Sequence, residues 1–306
     1  MSIRGDRVRA RVWCFTPNPV FETKIESPSG RVVSSAGGKG HNVARQLSRW
    51  EVPAISVVCN GGAEGKEWLD HARKEGVKTL QIPVRAVMRQ GWAWLKEDVE
   101  RIDFFTEDLK VGKSGWRKIR DFWIRNCKSG DWWVVAGSSA TGWPKGWWKK
   151  VIGDLQKKGV TVLVDSRGAL LREAVQAGAD WIKCNLAEAE ATTGMKGVER
   201  CIPNLIGNGT TGVVVTLGKE GLVAEVNGTK FSIPASKVKV KDPTGAGDVV
   251  TAALIYGEML NLPMEQTFKR AVEDGALHAK GKNIVNIYMP IVCKKNSETH
   301  LSQIYY

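Results

Sequence analysis

Lys241-Asp242-Pro243-Thr244-Gly245-Ala246-Gly247-Asp248 is the stretch that decides how this chain reads. A β-type run, Lys237 to Lys241, leads into it, and an apolar helical run, Val249 to Leu260, follows. Two glycines and a carboxylate are therefore expected where a strand hands over to a helix. Backbone N–H groups at a helix N-terminus have no intrahelical partner and favour anions. Glycines let an anion approach that backbone closely. The stretch reads as an anion hole of Gly245, Ala246 and Gly247 for a phosphate in transfer, with Asp248 placed to take the proton of an attacking hydroxyl. The same letters also spell a glycine-rich turn whose first-turn Asp favours the helix dipole.

A second glycine-rich stretch, Gly37-Gly38-Lys39-Gly40-His41-Asn42-Val43-Ala44-Arg45, lies roughly two hundred residues upstream. In this order, the pair resembles the two signatures of the ribokinase/PfkB carbohydrate kinase family, over a span from about Arg11 to about Lys280. The resemblance implies an α/β, ribokinase-like fold: a mostly parallel sheet flanked by helices on both faces, with a small β lid. It implies phosphoryl transfer from ATP to a sugar hydroxyl, in which positioning and charge neutralisation dominate. Asp248 then corresponds to the general base, and Gly245, Ala246 and Gly247 to the anion hole.

Three further assignments follow from the resemblance. Gly37, Gly38, Lys39, Gly40 and Asn42 match the sugar-side signature, where glycines bring amides against hydroxyls and Asn42 both donates and accepts. Asn185-Leu186-Ala187-Glu188 matches the NxxE motif associated with Mg²⁺ and its waters beside the nucleotide phosphates, and Lys183 matches a position near those phosphates. Asn185 ends an expected strand and Glu188 falls in the next helical turn, so both can face one ion, which prefers few oxygen ligands and retained water. The same four residues equally spell an N-cap Asn with a capping-box Glu, and Lys183 a solvated strand-end lysine. Thr216-Leu217-Gly218-Lys219-Glu220-Gly221 resembles the loop along the nucleotide, which assigns Thr216, Gly218 and Gly221 there; its other reading is a plain strand-to-hairpin turn.

The variant G-G-K-G-x-N-V-A-R is most similar to the branch that acts on phosphorylated hexoses, and Thr16-Pro17-Asn18-Pro19 resembles that branch's T-L-N-P. Asn18, Glu22, Lys39 and Arg89 join the substrate side on this basis. Four positions depart from the pattern. Glu22 stands where the branch has Asp. Ala93, between Trp92 and Trp94, replaces a basic lid residue, and Asp103 replaces a lid Asn. Pro243 stands where Ser or Thr is often found. An extra carboxylate opposes a sugar phosphate, whereas Trp92 or Trp94 can stack on a ring; both tryptophans also suit lid packing or a dimer clasp.

Other phosphate motifs are absent. Gly112-Lys113-Ser114 carries the end of a P-loop, but Glu107 occupies the position of its first glycine. Gly245-Ala246-Gly247 is followed by Val250 at the third glycine of a dinucleotide fingerprint. Six cysteines are scattered singly, without a CxxC or a Cys/His cluster, so neither a zinc site nor a disulfide framework is indicated. The net charge of +13 suits nucleic acid, phosphorylated ligands or a generally basic solvated surface. The basic residues are spread rather than blocked and form no binding module, so no nucleic-acid partner is expected. No apolar run reaches the ~18 residues of a membrane span, and Met1 to Arg11 lacks an apolar signal core, so no membrane partner and a cytoplasmic location are expected.

Along the 306 residues, strand and helix alternate. Strands are expected at Arg7 to Phe15, Ala54 to Cys59, Thr79 to Ile82, Trp132 to Gly137, Val160 to Asp165, Asp180 to Asn185 and Gly212 to Leu217. Val20 to Ser35 and the hairpin Arg85 to Phe105, turning at Glu97-Asp98, break the rhythm and are expected to form a small sheet over the site. Leu222 to Ile233 reads as a hairpin turning at Asn227-Gly228, and Met264 to Lys280 as a last helix. Near-continuous apolar strands imply a parallel sheet covered on both faces, with ligands at the carboxyl ends of its strands. The kinase domain is placed at residues 1–282, with lid segments at about 20–35 and 85–105, and residues 283–306 read as a tail.

The sequence reading is thus an ATP- and Mg²⁺-dependent kinase of a sugar phosphate, with a homodimer through the lid edge. Two alternatives stay open: a kinase of an unphosphorylated sugar or nucleoside, and a catalytically silent sugar or nucleotide sensor.

Overall fold

The structure, a computed structural model, describes residues 10–281 except 27, 28, 97, 98, 237 and 241. The expected tail, most of the basic N-terminus, the turn at Glu97-Asp98 and Lys241 of the opening motif lie outside the described residues.

The chain begins with β1 (Val12–Thr16), β2 (Val20–Glu26), β3 (Arg31–Gly37), α1 (Lys39–Arg49), β4 (Ala54–Asn60), α2 (Gly62–Lys74) and β5 (Thr79–Pro83). The lid hairpin β6 (Arg89–Lys96) and β7 (Val99–Phe105) follows, then α3 (Lys113–Asn126). Strand and helix alternate through β8 (Trp132–Ala136), α4 (Trp147–Gln156), β9 (Thr161–Asp165), α5 (Gly168–Ala177), β10 (Trp181–Asn185) and α6 (Leu186–Thr193). After α7 (Val198–Leu205) come β11 (Gly212–Thr216), β12 (Leu222–Val226), β13 (Thr229–Ile233), α8 (Ala246–Met259) and α9 (Met264–Ala279).

Nine strands form the main sheet in the order β13-β12-β11-β10-β9-β8-β1-β4-β5. From β11 to β5 every pairing is parallel, and only the two pairings made by β12, with β11 and with the edge strand β13, are antiparallel. Alternate residues of each strand feed opposite faces, the consequence of a two-residue pleat. Trp13, Phe15, Trp133, Val135 and Ile182 pack on one side with α3 to α5. Val12, Cys14, Val134, Trp181 and Val214 pack on the other with α1, α8 and α9. Each such fully buried apolar side chain contributes about 1.5–3 kcal/mol. The tryptophan-rich runs serve this core: Trp68, Trp123, Trp133, Trp148 and Trp181 are fully buried. The hairpin at Asn227-Gly228 is present, with both residues at positive φ (48° and 78°), as a two-residue hairpin turn requires.

The lid is a second sheet of four strands, order β3-β2-β6-β7, in which both expected lid segments meet. Its register decides which side chains face the cleft. Glu22 pairs with Gly91, which pairs with Phe105; Lys24 pairs with Ala93, which pairs with Asp103. These positions share the inner face. Trp92, Trp94 and Phe104 occupy the opposite face and are 38, 45 and 61 % exposed. The expectation that Trp92 or Trp94 stacks on a bound ring is therefore corrected: a period of two puts Ala93 inside and its neighbours outside.

Two local expectations also change. Over its described residues 238–240, the β-type run before the glycine motif forms no strand and has no ladder partner among the described residues; just after it, Asp242 N donates to Ala279 O at the end of α9. Val240 there is half exposed. The helix α7 was not legible in the sequence, because Pro203 interrupts a segment whose buried Cys201, Ile202 and Leu205 mark a helical face.

Candidate active site

Asp248 sits in the first turn of α8, capped by Gly245, which adopts the left-handed conformation (φ 85°). Only glycine takes this geometry without a steric cost. The Ala246 N–H turns back to Pro243 O at 3.2 Å, whereas the amides of Gly245 and Gly247 bond no acceptor among the described residues. A Cβ at Gly247 would come within 3.0 Å of the Lys183 ammonium, so this glycine keeps the cation close to the helix mouth. The carboxylate of Asp248 is buried and accepts a 2.7 Å hydrogen bond from Asn42 Nδ2. Asn42 Oδ1 accepts from Arg45 Nη2 at 2.8 Å, which fixes the orientation of the amide. Arg45 is held by Glu75, and Glu75 also bonds the buried His41 at 3.0 Å. Burial pushes the Asp248 carboxyl up to about 6, with the charge of Asp165 adding to the rise and Lys39, Lys183 and the Asn42 donor opposing it.

Beside Asp248 lies a compact charge cluster. Asp165, at the carboxyl end of β9, accepts from Lys39 at 3.1 Å, Lys183 at 2.9 Å and Thr251 Oγ1 at 2.7 Å. Burial alone would raise its pKa; the two ammonium groups and the hydrogen bonds overcome this and hold it at about 2. Burial likewise works against the Lys39 ammonium, but Asp165, Glu188 and Asp248 together keep its pKa above the ordinary lysine range. Two cations are thus held beside a carboxyl that titrates near neutrality.

At the neighbouring strand end the capping box is complete. Asn185 Oδ1 accepts from Glu188 N at 2.8 Å, and Glu188 Oε2 accepts from Asn185 N at 2.9 Å. This does not exhaust Glu188, whose Oε1 lies 3.8 Å from Lys39 Nζ. A hard carboxylate oxygen beside the cleft fits Mg²⁺ held through water.

These groups open into one cleft of about 620 Å³ beneath the lid. Asn18, Glu22, Gly38, Lys39, Asn42 and Arg89 line it from the first third of the chain, and Lys183, Asn185, Glu188, Thr216, Gly245, Gly247 and Asp248 from the second half. At the far end Arg89 stacks over the Phe105 ring at 4.1 Å and pairs with Asp108 at 3.4 Å. Asp108 also accepts from Asn18 Nδ2 at 2.8 Å.

A family model, "pfkB family carbohydrate kinase", matches residues 10–287. The chain belongs to that family. It is 26 % identical over 253 residues to 1-phosphofructokinase of Bacillus subtilis (79 % of this chain, 81 % of that protein). It is 24 % identical over 253 residues to tagatose-6-phosphate kinase of Staphylococcus epidermidis (80 and 81 %). Among solved structures, phosphofructokinase-2 of Escherichia coli in its tetrameric inhibited form superposes with a TM-score of 0.81 at 23 % identity, over 88 % of this chain and 94 % of that one.

In this kinase the cleft gathers most residues singled out from sequence, from motifs scattered along the whole chain. Gly37 instead lines an adjoining pocket of about 320 Å³ behind Asp248, with Arg45 and His278. Gly218 and Gly221 lie off the cleft wall: Gly218 opens a short 3₁₀ turn, and a Cβ at Gly221 would strike Ile233 O at 2.0 Å. Sequence reasoning missed Asp165, Thr251, Asp108, Arg167 and the Arg45–Glu75–His41 chain. Asp165 did leave a signal, a lone carboxylate closing the apolar strand Thr161–Asp165 at the end where ligands bind. Among the described residues, no helix is long and apolar enough to cross a membrane.

Proposed function

We propose that this kinase transfers the γ-phosphoryl group of ATP to a hydroxyl of a hexose phosphate. The observation that carries the reading is Asp248: a buried carboxyl titrating near 6, at a helix N-terminus with the unpaired Gly245 and Gly247 amides, beside Lys39 and Lys183. A general base works best with a pKa near the operating pH. Asp248 takes the hydroxyl proton, and the oxygen attacks the γ-phosphorus as its bond to the β-phosphate oxygen breaks. The free amides and Lys183 meet the charge on the moving phosphoryl group. Asn185 and Glu188 would hold Mg²⁺ through water, and the ion, when bound, neutralises phosphate charge. The lid closes over the cleft and excludes water, which limits ATP hydrolysis. A cytoplasmic setting suits ATP as co-substrate.

The phosphate already on the sugar would sit at the Arg89 end. Relatives named for fructose phosphates and tagatose 6-phosphate support that class. Glu22 and Asp103 on the inner lid face favour a second reading, an unphosphorylated sugar or nucleoside. ADP release with MgATP against fructose 1-phosphate, fructose 6-phosphate, tagatose 6-phosphate, the free sugars and nucleosides separates them. Turnover of a hexose phosphate is expected; turnover of free sugars or nucleosides alone replaces this reading with the second. The apolar outer lid face (Val32, Trp92, Trp94, Phe104) supports a homodimer through the lid, tested by light scattering of the wild type and Trp94→Glu.

A further inference from the structure

Arg167 belongs to neither motif, yet it lines the cleft. It follows Asp165 at the carboxyl end of β9 and occupies the N-cap position of α5. The sheet order places β9 between β10, which carries Asn185, and β8, which leads to Ser138. Arg167 lines the main cleft together with Arg89. It also lines the neighbouring cavity of about 490 Å³ with Asp108, Ser138 and Ser139, a cavity that excludes Asn185 and Glu188. The side chain therefore leans toward the β8–β1 side, where Asn18, Arg89 and Asp108 meet. Arg167 has no ion pair among the described residues. Arg89, in contrast, is oriented by the Phe105 ring and Asp108.

We infer that Arg167 and Arg89 form a two-guanidinium clamp for the phosphate that the hexose substrate already carries. The inference rests on the sugar-phosphate reading above. It also accounts for Ala93, which leaves β6 without a second cation beyond Arg89, while Lys24 on the same inner face is held by Asp242 at 2.9 Å: Arg167 supplies that charge from the core sheet instead. Guanidinium presents a planar fork of donors that matches phosphate oxygens, and two such forks bind one dianion better than one. Their mutual repulsion is consistent with the arrangement: burial lowers the Arg89 pKa, Asp108 offsets this, and the Arg167 charge lowers it further. A bound phosphate relieves that repulsion. The uncharged Ser138 hydroxyl, which accepts from Asn18 at 3.1 Å, completes the polar wall.

The test is steady-state kinetics of wild type, Arg167→Gln, Arg167→Lys, Arg89→Gln and the double variant Arg89→Gln/Arg167→Gln with MgATP and fructose 1-phosphate, fructose 6-phosphate or tagatose 6-phosphate. Arg167→Gln is expected to raise the KM for the accepted hexose phosphate about 10- to 100-fold, as loss of a charge-assisted contact does, with the KM for ATP nearly unchanged. Arg167→Lys should recover part of this, and the double variant should lose less than the product of the single losses, because both arginines share one phosphate. Arg167 is exposed, so melting curves should coincide with wild type. A rise in the ATP KM with the hexose phosphate KM unmoved would assign Arg167 to the nucleotide and overturn the clamp, as would no change in either. Wild type that turns over only free sugars overturns both readings; wild type active on a hexose phosphate with an indifferent Arg167→Gln overturns the clamp alone.

Discussion

Asp248→Asn should abolish turnover and stabilise the fold at the same time. The carboxyl titrates at 3.8 when unperturbed and at about 6 in the folded chain, a rise whose largest cause is burial. Between those values the folded state binds more protons than the unfolded state, so stability falls as pH rises from about 4 to about 6. Above pH 6 the deficit is complete; with 1.36 kcal/mol per pKa unit it is about 3 kcal/mol. Asn is the isostere of the protonated acid and keeps an oxygen to accept from Asn42 Nδ2. At pH 8 the variant should therefore be more stable by about 3 kcal/mol, or about 6 °C at about 2 °C per kcal/mol, and at pH 4 the two proteins should melt together. Turnover should fall by at least ~10²–10⁴, the contribution of a general base. Differential scanning fluorimetry across pH and ADP release at saturating MgATP provide both readouts. A variant that melts at or below wild type at pH 8 would refute the burial argument, and one that keeps a rate within about tenfold of wild type would refute the base.

Three further outcomes are expected. Lys183→Met leaves Asp165 with half its cationic support in a pair whose side chains are 3 and 0 % exposed, and should cost about 3–5 kcal/mol in urea unfolding at pH 7. Because Asp165 is held at about 2, that stabilisation is complete above about pH 4 and is lost as pH falls toward 2; a cost under about 1 kcal/mol at pH 7 would mean that Lys39 and Thr251 suffice. Arg45→Met frees the Asn42 amide to rotate away from Asp248, so the acid limb of kcat/KM should move above pH 6; an unmoved limb in the pH–rate profile would count against this positioning chain. Gly245→Ala forces a side chain to φ 85° and should destabilise by about 1–2 kcal/mol in thermal unfolding, with turnover falling further because the cap positions the Gly247 amide.

The architecture was largely legible because periodicity is a local property. Runs such as Trp-Trp-Val-Val-Ala at β8 are apolar on both faces and read as buried parallel strands without any knowledge of neighbours. The break in rhythm over 85–105 likewise announced the lid. The family was legible for a similar reason: glycines before a carboxylate at a helix start define a local pattern, one whose geometry suits an anion.

What the sequence alone could not settle were matters of register and of contacts between distant segments. Trp92, Ala93 and Trp94 are adjacent letters, and only the pairing of β6 with β2 and β7 decides which of them meets the cleft. Asn185 and Glu188 close a capping box and also line the cleft, so the capping role does not remove them from it. The tertiary structure alone joins Asn42 to Asp248 across 206 residues and Lys39 to Asp165 across 126. A pKa near neutrality arises from burial and from charges brought in by remote strands, and no local pattern encodes their sum. Helix, strand and turn follow from neighbours in the chain; the chemistry at Asp248 follows from neighbours in space.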